Sequence, residues 1–240
     1  MNDFTNCPQL YKYRAVDQLP EPPSIDAERG KLIHAVLEDL FQLPAPSRTF
    51  QSAKDLLPQK WSAQLAATPE LATLILDEKE WFDRAESLLT NYFDLEKPDS
   101  FDSTYRELHL ERDISEEIYL HGYVDRLDIA PTGEVRIVDY KTGKSPKPGW
   151  EEKALFQLRV YALLYWKNEG VLPRLLQLMY LGDSRIVKSQ PTEAQLIATE
   201  KILRNIGDEI LTAIEQNDFP TKKSRLCDWC FFKAICPAHN

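Results

Sequence analysis

The stretch VDYKTGK, residues 138 to 144, puts an aspartate and a lysine two positions apart at the end of an apolar, alternating run. Side chains at i and i+2 of a strand share a face, so Asp139 and Lys141 project together while Val138 and Tyr140 point the other way. Just upstream, GYVDRLDIA and VRIVDY flank the turn signal PTGE and read as a hairpin. If that turn sets Ile129 opposite Val135, Asp125 falls opposite Asp139, with Cβ atoms roughly 4.5–5.5 Å apart. Two carboxylates that close repel each other, and a divalent cation is the natural compensation. Mg²⁺ takes oxygen ligands from one or two carboxylates and keeps several waters. Lys141, on the same face, would orient a water or stabilise charge developing on a phosphoryl group. The plain alternative is a surface pair, with Asp125 on Arg126 or Arg136 and Lys141 in solvent. A slip of one residue would separate the two faces. Asp128 is a competing carboxylate, but its strand parity is opposite to that of Asp125.

Three further groups could join or serve such a site. His34 lies on the edge of the apolar face of a helix, with Glu38 one turn along; it is either a satisfied core histidine or a supplementary metal ligand. Gln157 and Tyr161 stand at i and i+4 in an otherwise apolar helix. Buried amide and phenol groups need partners, found locally or at the site. The cysteines are Cys7, Cys227, Cys230 and Cys236, three of them in a C-x2-C-x5-C tail. Close cysteines in a cytosolic chain point to ligation rather than disulfides. Zinc and an iron–sulfur cluster both accept four thiolates, and His239 could replace Cys7 in a Cys3His zinc site. Four-cysteine ligation requires the two chain ends to meet.

The elements that must position these groups follow from periodicity. Residues 1–25 form an entry segment closed by the proline-rich LPEPPS, which cannot be helical throughout. SIDAERGKLIHAVLEDLFQLP reads as a helix through Ile33, Val36, Leu37, Leu40 and Phe41, stopped by Pro44, and residues 51–97 continue as helices broken at TPE and EKPDS. The period then changes: TYRELHLERDI, IYLHGYVDRLDIA, VRIVDYKTG and RLLQLMYLGD read as strands. A nearly all-apolar helix ending at Gly170 separates the last two, and a long amphipathic helix opens at the Thr192 cap. Helices, a meander of strands, then helix, strand and helix make a mixed α/β core with helices before it. The expectation is one domain over 1–240, comprising an N-terminal segment 1–25, a helical region 26–97, a core 104–190, and a helix with cysteine tail 191–240.

Composition narrows the class. The 240 residues are 43% hydrophobic and 28% charged, which excludes wholesale disorder. YALLYW is about the strongest apolar run and is far too short to cross a membrane. MNDFTNCPQL carries neither the basic nor the apolar part of a signal peptide, so a cytoplasmic location is expected. The net charge of −9 is awkward for a nucleic-acid partner. Binding of that kind would have to use local basic groups such as Lys141, Lys144 and Lys147, or Lys222, Lys223 and Arg225. Solvated loops are the bland account of both clusters.

Taken together, RGKLIHAVLE, GYVDRLD, VDYKTGK and QLRVY, in that order, resemble the PD-(D/E)xK nuclease superfamily, and within it the RecB-type nucleases. These include the nuclease domains of RecB and AddB and the CRISPR-associated RecB-like nucleases. The resemblance spans nearly the whole chain, from Cys7 to Cys236. The proline implied by the family name is replaced by Val124, but Gly122-Tyr123-Val124-Asp125 fits the apolar G-x-[IV]-D form of the RecB-type group. The resemblance implies a restriction-endonuclease-like core and hydrolysis of DNA phosphodiesters with Mg²⁺ or Mn²⁺. Asp125 and Asp139 would hold the metal, with the Tyr140 carbonyl and His34 as further ligands. Lys141 would orient the attacking water, and Gln157 and Tyr161 would position the DNA backbone. Lys144, Lys147 and Trp150 would stack on or track a single strand. It further implies a 4Fe–4S cluster on Cys7, Cys227, Cys230 and Cys236, favoured over zinc, and an exonuclease acting on single-stranded DNA ends in repair or recombination. The rival is a non-catalytic or partner-activated DNA-end-binding subunit working with a helicase.

Overall fold

The structure, a computed structural model, describes residues 2–239. They gather into two compact units: the described parts of Met1–Pro22 with Lys201–Asn240, and Pro23–Glu200. The sequence, read as a single domain, does not draw this division. Among the described residues no helix is long and apolar enough to cross a membrane.

In the smaller unit, α1 (Asn2–Asn6) and α2 (Pro8–Tyr11) run into a π-helical turn over Lys12–Val16. Pro8 takes the first helical turn of α2, where its missing N–H leaves no donor unmet. The entry segment is therefore helical over most of its first sixteen residues and loses helicity only towards the prolines.

The larger unit begins with α3 (Ile25–Leu40), which buries Leu32, Ile33, Val36, Leu37 and Leu40. Then come α4 (Phe50–Ala67), α5 (Leu71–Leu74) and α6 (Glu78–Leu95). Thr49 and Asp77 cap α4 and α6 by accepting the Ser52 and Glu80 backbone N–H groups. Breaks fall at TPE and EKPDS, as the sequence indicates, and a further one over 75–77 separates α5 from α6, which it does not.

Five strands follow in one sheet: β1 (Tyr105–Asp113), β2 (Tyr119–Ile129), β3 (Val135–Lys141), β4 (Leu175–Tyr180) and β5 (Arg185–Ser189). Their spatial order is that of the chain. Pairing is antiparallel except between β3 and β4, whose crossover is α7 (Glu151–Glu169). Gly170 ends α7 at φ 73°, a left-handed cap that a side chain would strain. With helices packed on a mixed central sheet, this is the α/β, restriction-endonuclease-like architecture expected from the sequence. β5 was not legible as a strand.

β3 lies inside the sheet and is buried along most of its length. Val138 and Tyr140 join Met179 and Leu181 in the core made by α3, α4 and α6. Beneath it sits a buried ionic network. Arg126, 1% exposed, makes a two-pronged pair with Glu96 (2.7 and 2.9 Å) and donates to the Tyr140 hydroxyl (2.7 Å). The guanidinium also lies 4.7 Å from the centre of the Phe41 ring and 5.0 Å from that of Phe101. Asp128 closes the network through Arg136 Nε at 2.8 Å. Its strand parity indeed commits it to a different side from Asp125.

After β5, α8 (Glu193–Gln216) opens on a reciprocal cap. Thr192 Oγ1 accepts the Gln195 N–H, and Gln195 returns its side-chain oxygen to the Thr192 N–H. Two short 3-10 turns, Arg225–Trp229 and Phe231–Ile235, carry the cysteine tail.

Candidate active site and cysteine site

The β2–β3 turn pairs Ile129 with Val135 and Arg126 with Val138, so the same register continues to Asp125 opposite Asp139. Asp125 Oδ2 accepts the Tyr140 backbone N–H at 2.7 Å. His34 bridges the pair from α3: Nδ1 lies 3.4 Å from Asp125 Oδ2 and Nε2 lies 3.0 Å from the Tyr140 carbonyl. Tyr140 thus presents backbone to the site and side chain to the core.

From the other flank, Lys141 Nζ lies 2.6 Å from Asp139 Oδ2 and donates to Gln157 Oε1 at 3.1 Å. Gln157 Nε2 in turn donates to the Tyr161 hydroxyl at 2.7 Å. Four sequence-selected residues are therefore joined in one polar chain. Gly122 makes room for its far end, since a Cβ there would lie 2.7 Å from Tyr161 Cε1. Lys144, Lys147 and Trp150 lie outside this cluster, exposed on the segment between β3 and α7.

Glu107 was missed. The β1–β2 register, with Arg106 on Arg126 and Leu108 on Val124, sets it opposite Asp125. Its φ is 45°, a left-handed conformation that is uncommon for a non-glycine residue and re-aims its side chain within a strand. Extending the hairpin register by one more strand was the signal that could have found it. His34, Glu107 and Asp125 each place a ligand atom within 4.8 Å of the others.

The electrostatics show what this donor set lacks. Burial, then the charge of Asp125, push the Asp139 carboxyl up to about 6, against the pull of Lys141. Asp139 is 2% exposed, and its Oδ2 accepts no well-aligned hydrogen bond despite the nearby ammonium. Burial and Asp125 likewise raise the Glu107 carboxyl. Burial alone would lower His34, but Asp125, Asp139 and Glu107 reverse this and leave it raised. Three acids with too little positive charge, and with oxygen donors predominating, fit a hard divalent cation. Asp125, Asp139, Glu107, His34 and the Tyr140 carbonyl are the groups that would hold it.

In the smaller unit the chain ends do meet. Cys7, Cys227, Cys230 and Cys236 line one cavity together with Tyr13 and His239. The Tyr13 hydroxyl donates to the Ile235 carbonyl at 3.1 Å. Lys222 and Ser224 backbone N–H groups donate to the Cys7 and Cys227 sulfurs, each at 3.4 Å. Such donors suit thiolates.

Comparison with known proteins agrees with this chemistry. A "Gene 69 protein" of Mycobacterium phage D29 is 27% identical over 193 residues, covering 71% of this chain and 68% of that protein. Its counterpart in Mycobacterium phage L5 is 22% identical over 284 aligned residues, covering 99% and 94%. The crystal structure of a protein named "Putative exonuclease" from Eubacterium rectale shares the fold at TM-score 0.60 and 16% identity, over 93% of this chain and 80% of that one. Residues 1–237 match the PD-(D/E)XK nuclease superfamily, whose members are hydrolases that use divalent metals. Convergent carboxylates beside a strand lysine are what such chemistry needs, and the chain belongs to the PD-(D/E)XK nuclease superfamily.

Proposed function

We propose that this protein is a RecB-type exonuclease that hydrolyses DNA phosphodiesters from single-stranded ends, in repair or recombination. The observation that carries the proposal is the Asp125–Asp139 pair with Lys141 beside it and Glu107 and His34 around it. The whole chain is taken as one functional nuclease domain.

A bound Mg²⁺ or Mn²⁺ would supply a more acidic water and neutralise charge on the phosphoryl oxygens. The remaining steps belong to the chain. Lys141, held between Asp139 and Gln157, orients the attacking water and its ammonium faces the charge that develops on the phosphate. Gln157 and Tyr161 position the DNA backbone. Burial pushes the Tyr161 hydroxyl up to about 12, so it stays a neutral donor at working pH. Lys144, Lys147 and Trp150, exposed on their loop, track the strand beyond the site.

The four cysteines are assigned to a 4Fe–4S cluster. Tetrahedral zinc with Zn–S bonds of about 2.3 Å would hold its sulfurs roughly 3.8 Å apart. Among the described residues only His34, Glu107 and Asp125 gather three ligand atoms within 4.8 Å, so no three cysteine sulfurs do. A cluster spreads its thiolates over four irons and accepts the wider spacing. Iron and sulfide in anaerobically purified protein would support this assignment, and stoichiometric zinc would reverse it.

The function is tested by offering end-labelled single-stranded DNA, linear and circular, to wild type and Asp139→Ala with Mn²⁺ or EDTA. Metal-dependent loss of the linear form only, abolished by the substitution, is the expected result. A folded, cluster-loaded protein that cuts neither form would favour an end-binding subunit activated by a helicase. The net charge of −9 is the observation that keeps this second reading in play.

A further inference from the structure

One face of the β1–β2 hairpin runs outward from the carboxylates as a row of rings. A single step from the Glu107–Asp125 position, His109 pairs with Tyr123; the next step sets Glu111 against His121, and the last sets Asp113 against Tyr119. His109 and Tyr123 stack with centroids 4.6 Å apart and planes at 25°. Tyr119 and His121 stack at 5.7 Å and 26°, and His109 meets His121 edge-on at 5.8 Å. Tyr119 is 52% and Tyr123 53% exposed, and both histidines are exposed as well. β1 is an edge strand of the sheet.

We propose that Tyr123, His109, His121 and Tyr119 form a base-stacking platform for a single-stranded nucleic acid whose phosphodiester reaches the carboxylate site. This rests on the nuclease reading above. Three features select this occupant. Residues two apart on a strand stand about 7 Å apart, so the rings mark successive stations in line with Asp125. Every base has a π-face, so exposed rings hold a strand without regard to its sequence. Finally, the acids of the row exclude the alternative mode of grip. Glu111 accepts from the Tyr119 hydroxyl and lies 3.6 Å from His109 Nδ1, while Asp113, Glu116 and Glu117 are exposed towards the turn. Phosphates are repelled there. Bases lie on the rings and the backbone runs away from the acids.

The test measures binding, so that it does not depend on turnover. In the Asp139→Ala background, fluorescence anisotropy compares a labelled short oligo(dT) with an abasic oligomer of the same length. The parent should bind oligo(dT) at least about tenfold more tightly than the abasic strand. Tyr123→Ala should weaken oligo(dT) binding by about tenfold and leave the abasic strand unaffected, while Tyr123→Phe, which keeps the ring, stays within about twofold. Equal affinity of the parent for the two strands would overturn the platform. So would a Tyr123→Ala protein of unchanged circular dichroism and Tm that binds oligo(dT) as its parent does, and the face would then pass to a protein partner. If wild type fails the cleavage assay but these differences hold, only the nuclease reading falls; cleavage without them sinks only the platform.

Discussion

Residues 23–200 surround their site with a core in which Ile33, Val36, Leu37, Leu40, Leu89, Val138 and Met179 are fully buried. The unit made of 2–22 and 201–239 has a much thinner interior. Phe4, Ala213 and Phe219 form one small cluster, and Tyr13 meets Phe232 at 5.0 Å. Its tail leaves Leu226, Trp229, Phe231 and Ile235 more than half exposed. The first unit holds ionisable groups in place by packing around them. The second has thiols converging where packing is sparse, as small scaffolds that rely on a metal staple do. On the assignments proposed above, one region should therefore tolerate loss of its metal and the other should not.

The largest effect expected is on the smaller unit. Cys230→Ser, which removes one of the four proposed ligands, should raise the rate of limited proteolysis within 201–239 by at least about tenfold, because binding energy at such a centre is folding energy. EDTA, which strips the divalent site, should leave the protease pattern of 23–200 unchanged. Equal sensitivity of the two regions to Cys230→Ser would end the contrast. Next comes Arg126→Ala, which strips Glu96 of its two-pronged partner in the interior and leaves Arg136 as the one guanidinium serving both Glu96 and Asp128. It should cost about 3–5 kcal/mol, read as a fall in the denaturation midpoint of the larger unit.

Gly122→Ala drives a Cβ into the Tyr161 ring and should cost about 2–3 kcal/mol through overpacking, with cleavage impaired more than metal binding. Mn²⁺ titration beside a rate measurement separates the two. The smallest effect is on pH dependence. Asp139 ionises near 6 in the folded chain and near 3.9 when unfolded, so burying its charge works against the metal-free fold. Stability of that form should fall on the order of 2 kcal/mol as pH rises from about 4 to about 6, then level off. Asp139→Asn should flatten this slope. Metal affinity should run the other way and rise with pH over the same range, because the proton must leave first.

Legibility in the sequence varied within the larger unit as well as between the two. Alternation in GYVDRLD and VRIVDYK, with a short turn between, was enough to set the register that opposes Asp125 and Asp139. Helical spacing on α3 placed His34, and the i, i+4 pair on α7 placed Gln157 and Tyr161. Glu107 was within reach only by carrying the register one strand further, to β1; its left-handed backbone, which no side-chain pattern announces, was not. β5 was hidden because RIVKS is short and half-exposed, carrying Arg185 and Lys188 within it. For the cysteines, spacing suggested a shared ligand set and left the metal open, and that Cys7 lines the same cavity as the tail depends on a meeting of distant chain ends that no local pattern announces.

Tyr140 has its hydroxyl held by Arg126, its N–H by Asp125 and its carbonyl beside His34. A residue of this kind answers to two selections at once. Its atoms at the site are common to every amino acid but proline, so the site asks only for a backbone N–H and carbonyl there, and packing decides the side chain. A random screen for lost cleavage should therefore return many hits at Glu96, Phe41 and Phe101, none of which touches the substrate. Directed evolution that sets out to retune the carboxylates would have its freest handle in that aromatic and ionic layer beneath them.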